Sequence, residues 1–259
     1  MMKRRRFAVP QVLIQGAMLA ACAVLAPMAA LAQPVSGDGF LFNRPTGSFT
    51  LRGGYSRPSA SSDAFDLAKQ QLTIGKDAFA SASVSADFNL WVADRFTLQL
   101  SGGYSGRKIA SEYRALIDNN NKPIEQTTEL MRAPFSVGVR YYLTSPGRSL
   151  GRLAYVPSRV SPYVSAGAGA MWYSFHQAGD FVDVQSKNLD VFNGDLKSTG
   201  WAPEAYGAFG FDVSLHPTVA LTTEARYEYS RGSMSRDYAG LNRIDLSGLT
   251  ATVGLTFRY

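Results

Sequence analysis

Eight stretches of this chain alternate apolar and polar residues at a period of two, and that alternation constrains the fold more than any other feature. In "GLTATVGLTFRY", Gly248 to Tyr259, the residues Ala251, Val253, Leu255, Phe257 and Tyr259 share one parity, and Thr252, Gly254, Thr256 and Arg258 share the other. Successive side chains of a strand point to opposite faces, so such a stretch is a strand with one greasy face and one polar face. The pattern predicts strands over 47–57, 79–92, 95–110, 125–143, 161–176, 199–214, 218–231 and 245–258. No linker, charge block or low-complexity stretch divides them, which points to one all-β domain.

The two faces want different surroundings. One collects Leu51, Tyr55, Phe88, Leu98, Leu100, Val137, Phe209, Phe211 and Val253; the other collects serines, threonines, glycines and charges. A soluble sandwich or a lipocalin-like barrel would bury the first face and wet the second. The connections favour the inverse. "VADR" (92–95) and "LHPT" (215–218) are tight turns at one end, whereas 58–78, 111–124, 177–198 and 232–244 are long loops at the other. Short turns at one end and long loops at the other are the pattern of a transmembrane barrel.

A sheet in lipid must pair every backbone group and therefore closes on itself, and eight strands leave a bore that side chains fill. The predicted fold is a closed antiparallel up-and-down β-barrel of eight strands. Its inward bases Arg52, Arg132, Arg140, Arg226 and Arg258 are expected to neutralise the inward acids Asp87, Glu204, Asp212, Glu224 and Glu228, because buried charges persist when paired. A bore plugged in this way is no wide channel. The segment 144–160, "TSPGRSLGRLAYVPSRV", breaks the pattern, being long on the short-turn side. "FVDVQ" and "NLDVF" (181–192) would make an extra hairpin in a ten-stranded variant; they are read instead as extensions of the fifth and sixth strands.

The chain opens on "MMKRRR", then an apolar run that ends on small residues at Ala30 and Ala32 before Gln33. A charged region, an apolar region and an A-x-A site make a secretory signal peptide over 1–32, followed by a short segment, 33–46, and the barrel, 47–259. Pro10, Gln11, Gln15 and Pro27 interrupt the run and argue against a membrane-anchoring helix. Leu19-Ala20-Ala21-Cys22 resembles a lipobox, yet the residues after Cys22 stay apolar, so cleavage after Ala32 is favoured. Cys22 is the only cysteine, which leaves the processed chain without a disulfide. Loss of Lys3, Arg4, Arg5 and Arg6 leaves 22 basic against 20 acidic residues, scattered and of both signs, which speaks against nucleic-acid binding.

With the signal peptide, the eight alternating segments, the glycine-rich "LRGGYS", "LSGGYSG" and "VSAGAGAMWY" and the aromatic terminus, the chain resembles the small outer-membrane β-barrel superfamily of Gram-negative bacteria that includes the OmpA membrane domain, OmpX and OmpW. The resemblance is architectural and covers the whole processed chain. It implies an outer-membrane location, contact with membrane lipid and lipopolysaccharide, and a final strand read by the barrel-assembly machinery. Val253, Leu255, Phe257 and Tyr259 would carry that signal, although the family more often ends in Phe. Both termini would lie in the periplasm, the barrel would be a monomer, and with nothing after Tyr259 no peptidoglycan-binding domain is expected.

Chemistry is sparse. Some barrels of this kind modify lipids, and Ser174 and His176 at alternate positions point to one face, as a Ser-His pair would. By parity that face is the outer one, beside Trp172, and a His in an aromatic belt is the favoured reading. His216 precedes Pro217 in a tight turn. Asp180, Asp183, Asp190 and Asp195 lack the spacing of a calcium loop. No catalytic residue, metal or cofactor is assigned. "SSDAFDLAKQQLT" (61–73) places Phe65, Ala68 and Leu72 on one helical face with Ser62 as N-cap. That helix would lie over the mouth, either packing on loops or acting as a lid over a hydrophobic ligand. A structural or surface-interaction role leads; a conduit for small hydrophobic molecules and a lipid-modifying enzyme are the alternatives.

Overall fold

The structure, a computed structural model, describes residues 36–37, 39–117, 122–151, 153–182 and 191–259. The signal peptide, Cys22 and the cleavage residues Ala30, Ala32 and Gln33 lie outside the described residues, as do Asp183 and Asp190.

Eight long strands form the wall: β1 (Gly47–Pro58), β2 (Ser81–Trp91), β3 (Phe96–Ile117), β4 (Pro123–Tyr142), β5 (Val160–Val182), β6 (Val191–His216), β7 (Val219–Gly232) and β8 (Gly248–Arg258). Each pairs antiparallel with the next, and β8 pairs with β1, which closes the ring. Closure satisfies the backbone groups that an open edge would present to lipid. At the seam Tyr259 N–H donates to Gly47 O at 3.1 Å.

The exposure of the two faces is the inverse of a soluble barrel. Leu100 is 58% exposed and Val253 50%, whereas Arg140 is fully buried and Asp87 is 1% exposed. On β4 the outward residues Tyr141, Val139, Val137, Phe135, Ala133 and Met131 make an uncharged run. At about 3.4 Å per residue and a tilt of about 40°, such a run rises about 25 Å, the height of the apolar band of a membrane barrel. Phe96 and Tyr141, with ring centroids 4.8 Å apart, and Phe88 with Tyr259, at 6.1 Å, form an aromatic girdle at the short-turn end. Tyr55, Tyr104, Trp172, Trp201 and Tyr229 form the other, and Trp172 and Trp201 are direct cross-strand partners.

Two features depart from the sequence expectation. The segments 111–124 and 177–198, expected as loops, are strand over most of their described residues, because β3 and β4 run to Ile117 and from Pro123 while β5 and β6 run to Val182 and from Val191. Phe181 and Phe192, Cα partners in register with Val182 and Val191, extend the fifth and sixth strands upward, as expected of the described part of 181–192. The long 144–160 connection is also structured. Gly147–Leu150 and Ala154–Pro157 form a hairpin that adds Phe40–Phe42 and Ser36–Gly37 to make a four-stranded sheet below the barrel, with Leu41 and Tyr155 buried in it.

The upper wall rises above the girdle because it has an apolar core of its own. On β5 the inward residues change from Ser165, Gly167 and Gly169 to Met171, Tyr173 and Phe175, all three fully buried. The helix α1 (Asp63–Gln71) and the chain at 234–246 pack on this face. Phe65 sits edge-on to Phe79 at 4.9 Å and to Phe175 at 5.5 Å, and Tyr238 meets Phe175 at 5.5 Å. Phe65, Ala68 and Leu72 share the buried face of α1. The chain is therefore inverted within the belt, with polar residues inside, and conventional above it, with an apolar cap over the bore.

Candidate functional site

The bore is built from alternate residues of the eight strands. Midway along it, Asp87 and Glu224 gather three arginines. Arg52 approaches Asp87 at 2.6 Å and Glu224 at 3.2 Å, and Arg226 approaches Glu224 at 3.0 Å and Asp87 at 3.8 Å. Arg140 reaches both acids, at 3.5 and 3.6 Å. Two tyrosines close the cluster. Arg140 lies over the Tyr163 ring at 4.0 Å and Arg226 over Tyr206 at 4.1 Å, while the Tyr163 hydroxyl donates to Glu224 at 2.9 Å. Arg is suited to this task because its planar group ion-pairs at its edge and stacks on its face.

Glycine makes room for the rings. Gly138 and Gly167 are Cα partners beneath Tyr206, and a Cβ on Gly167 would lie 2.6 Å from that ring. The void left among Arg52, Ser101, Glu224 and Arg226 is about 30 Å³, room for about one water.

The other predicted bore residues lie above and below the cluster. Towards the short turns, Asp212 accepts hydrogen bonds from Tyr142 at 2.8 Å and Thr222 at 2.6 Å, and Arg258 donates to Ser214 at 3.0 Å. Towards the cap, Arg132 donates to Leu246 O at 2.7 Å and to Ser56 at 2.5 Å. Glu228, Glu204 and Asp245 are within its electrostatic reach. The expected five-to-five pairing is met only by Arg52, Arg140, Arg226, Asp87 and Glu224; Arg132, Arg258, Asp212 and Glu228 form no ion pair among the described residues, and Glu204, 3% exposed, has no hydrogen-bond partner at either carboxylate oxygen. Its level in the wall explains this, since it stands at the top of the β6–β7 ladder, above the arginine cluster.

The sequence places a helix over the mouth and tyrosines on the inner face, but the stacking of Tyr163 and Tyr206 on the guanidinium groups and the part that Met171, Tyr173 and Phe175 take in the cap were not foreseen. The signal was present in both cases. Tyr163 and Tyr206 sit at inward parity among glycines, and the change from glycine to Met171, Tyr173 and Phe175 marks where β5 leaves the belt. Ser62 occupies the N-cap position of α1 in extended backbone, but its side chain makes no capping bond.

On the outer face His176 bonds Asp195 at 2.6 Å and lies 3.8 Å from Glu129. Among the described residues its bond is thus to an acid and not to Ser174, so no nucleophile–base pair is assembled there. His216 bonds Thr218 within its turn at 2.8 Å, and Asp180 accepts from Asn193 at 3.0 Å. Among the described residues no group of three or more His, Cys, Asp or Glu is placed to hold a metal.

A second feature lies beneath α1. A mostly apolar pocket of about 170 Å³ is lined by Leu67, Ala68, Phe181, Leu196, Tyr238 and Leu241. Burial, then the nearby charge of Asp237, raises the Tyr238 phenol well above its ordinary pKa, and its hydroxyl donates to Leu196 O at 3.2 Å.

No family model and no curated protein matches the chain. Among solved structures, it is similar to the outer membrane protein OprG of Pseudomonas aeruginosa, with 15% identity, 84% of this chain and 98% of that one covered, and a TM-score of 0.45. It is similar to the outer membrane protein W of E. coli at 14% identity, with 84% and 100% covered and a TM-score of 0.36. The outer membrane protein AlkL matches at 13% identity, with 88% and 95% covered and a TM-score of 0.34. These likenesses concern the barrel fold and do not extend to individual residues.

Proposed function

We propose that the chain is an outer-membrane β-barrel of a Gram-negative bacterium that closes its own bore and works through its outer surface. The apolar belt between two aromatic girdles supports the location. The cluster of Arg52, Arg140 and Arg226 around Asp87 and Glu224 carries the closed-bore reading, because it leaves room for about one water. The tall outer wall of β3 to β6 would then meet lipopolysaccharide or an external partner, with the protein acting as a monomer. The barrel-assembly machinery would read Val253, Leu255, Phe257 and Tyr259 during insertion. Planar bilayer recordings on purified protein test the reading: a silent membrane is expected, and large, stable, ion-selective steps would refute it.

A second reading is favoured by the pocket under α1, about 170 Å³ in volume, whose lining is mostly apolar with Gln71, Gln126 and Gln177 among it. It fits a small hydrophobic molecule held between the 58–78 and 177–198 segments. Displacement of a bound solvatochromic dye by alkanes or small aromatics, lost in Leu67→Asp, tests it.

A further inference from the structure

The wall of the barrel parts at one level. The β6–β7 ladder ends at the pair Glu204 and Ser230; above it β6 continues on β5 as far as Val191, while β7 turns away to pair Arg231 and Gly232 with Asp245 and Ile244. The strands diverge around a cleft of about 830 Å³. Its outer lip is made of Pro203, Ala205 and Tyr229, which face the belt, and its inner part of Glu204, Ser62 and Asp63. Tyr229 belongs to the aromatic girdle, and Trp201 of the same girdle is on β6 three residues from Glu204. That is the depth at which lipid headgroups lie.

Two buried polar groups in this cleft have no hydrogen-bond partner among the described residues. Glu204, 3% exposed, leaves both carboxylate oxygens unbonded, and Ser62, 8% exposed, leaves its hydroxyl unbonded. A buried carboxylate whose oxygens accept no hydrogen bond is unfavourable even with Arg132 and Arg226 within electrostatic reach, so the site favours a cation that also donates hydrogen bonds. Arg132 is already engaged with Leu246 O and Ser56. The mouth of the cleft has the opposite character: Arg231 and Arg243 line it and are both exposed, with Arg231 5.5 Å from the centre of the Tyr229 ring. Asp63 accepts from the backbone of Asn242 at 3.2 Å, and Asp245 accepts from Ser247 N–H at 3.0 Å. Negative charge thus lies deep and positive charge at the rim, next to a hydrocarbon-facing wall.

We infer that this cleft binds the headgroup of a phosphoethanolamine lipid, with its ammonium donating to Glu204, its phosphate at Arg231 and Arg243, and its chains along Ala205 and Tyr229. A primary ammonium is required because a quaternary one cannot donate to a carboxylate. The inference rests on the reading that the belt lies in lipid, but not on the closed bore.

The test uses the full-length processed protein in maltoside micelles and three short-chain lipids with identical dihexanoyl tails, bearing phosphoethanolamine, phosphocholine or phosphoglycerol heads. Quenching of tryptophan fluorescence or a shift in unfolding temperature reads binding. The phosphoethanolamine lipid is expected to bind at least tenfold more tightly than the other two, and Glu204→Gln to abolish that preference while the protein keeps its heat-modifiable migration on electrophoresis. Equal binding of the three lipids overturns the inference, as does a preference that survives in folded Glu204→Gln. Binding of chain-free phosphoethanolamine as tight as that of the lipid also overturns it, since the site would then serve a soluble zwitterion. Should Glu204→Gln not fold, the three-lipid comparison on the unaltered chain still decides. A conducting bore would leave the lipid preference untouched, so the two readings fail separately.

Discussion

Replacing Asp87 with asparagine probes whether the bore is dry. Asp87 is 1% exposed and lies 2.6 Å from Arg52, 3.5 Å from Arg140 and 3.8 Å from Arg226. The substitution keeps the volume and removes one of the two charges that hold three guanidinium groups together, leaving Glu224 alone against them. At 2.6 Å a unit pair is worth roughly 6 kcal/mol at an effective dielectric of about 20, and about 1.6 kcal/mol in bulk water. Desolvation offsets part of the larger figure, and breaking a buried pair by removing one partner costs about 3–5 kcal/mol. The expected result is therefore a loss of about 3–5 kcal/mol in urea unfolding from lipid vesicles. The double variant Asp87→Asn/Arg52→Met should recover a large part, because it also removes the orphaned charge. A loss below about 1 kcal/mol, the range of a solvated ion pair, would mean that water reaches the cluster, and the sealed bore would have to be given up.

Other regions of the fold respond in their own ways. Phe65→Ala empties a fully buried site between Phe79 and Phe175 and should cost about 3–5 kcal/mol; limited proteolysis should then cut within 58–78 while the barrel itself stays intact. Phe209→Arg puts a charge on the lipid face and should destabilise the protein in vesicles by about 2–4 kcal/mol, whereas an outer wall that met water would tolerate it. The raised phenol of Tyr238 gives the cap a pH dependence. The unfolded chain ionises near about pH 10 while the folded cap keeps its proton, so cap stability is level below that pH and falls as pH rises above it. Tyr238→Phe should flatten this fall, measured as hydrogen exchange of α1 against pH. Gly167→Val would drive a side chain into the Tyr206 ring and the facing strand and should lower the yield of heat-modifiable, folded barrel.

Much of this protein was legible in the order of its residues. Period-two alternation fixes which side chains share a face, and that alone separates Leu51, Leu100 and Val253 from Arg52, Asp87 and Arg140. Loop lengths and the uncharged apolar class then settle which face meets lipid, and the upward extension of the fifth and sixth strands follows from "FVDVQ" and "NLDVF". Parity is a local property of the strand, and it needs no knowledge of the partner. What the sequence left open depends on levels and neighbours. Arg52, Arg140 and Arg226 crowd Asp87 and Glu224, while Glu204 stands unpaired at the top of a ladder, because the stagger between strands decides which inward residues share a height. The 144–160 segment finds its partner in Phe40–Phe42, and the cap joins α1 to residues of β5 more than a hundred positions away. Such contacts are chosen by closure of the ring, which brings distant stretches to one height and which no local pattern encodes.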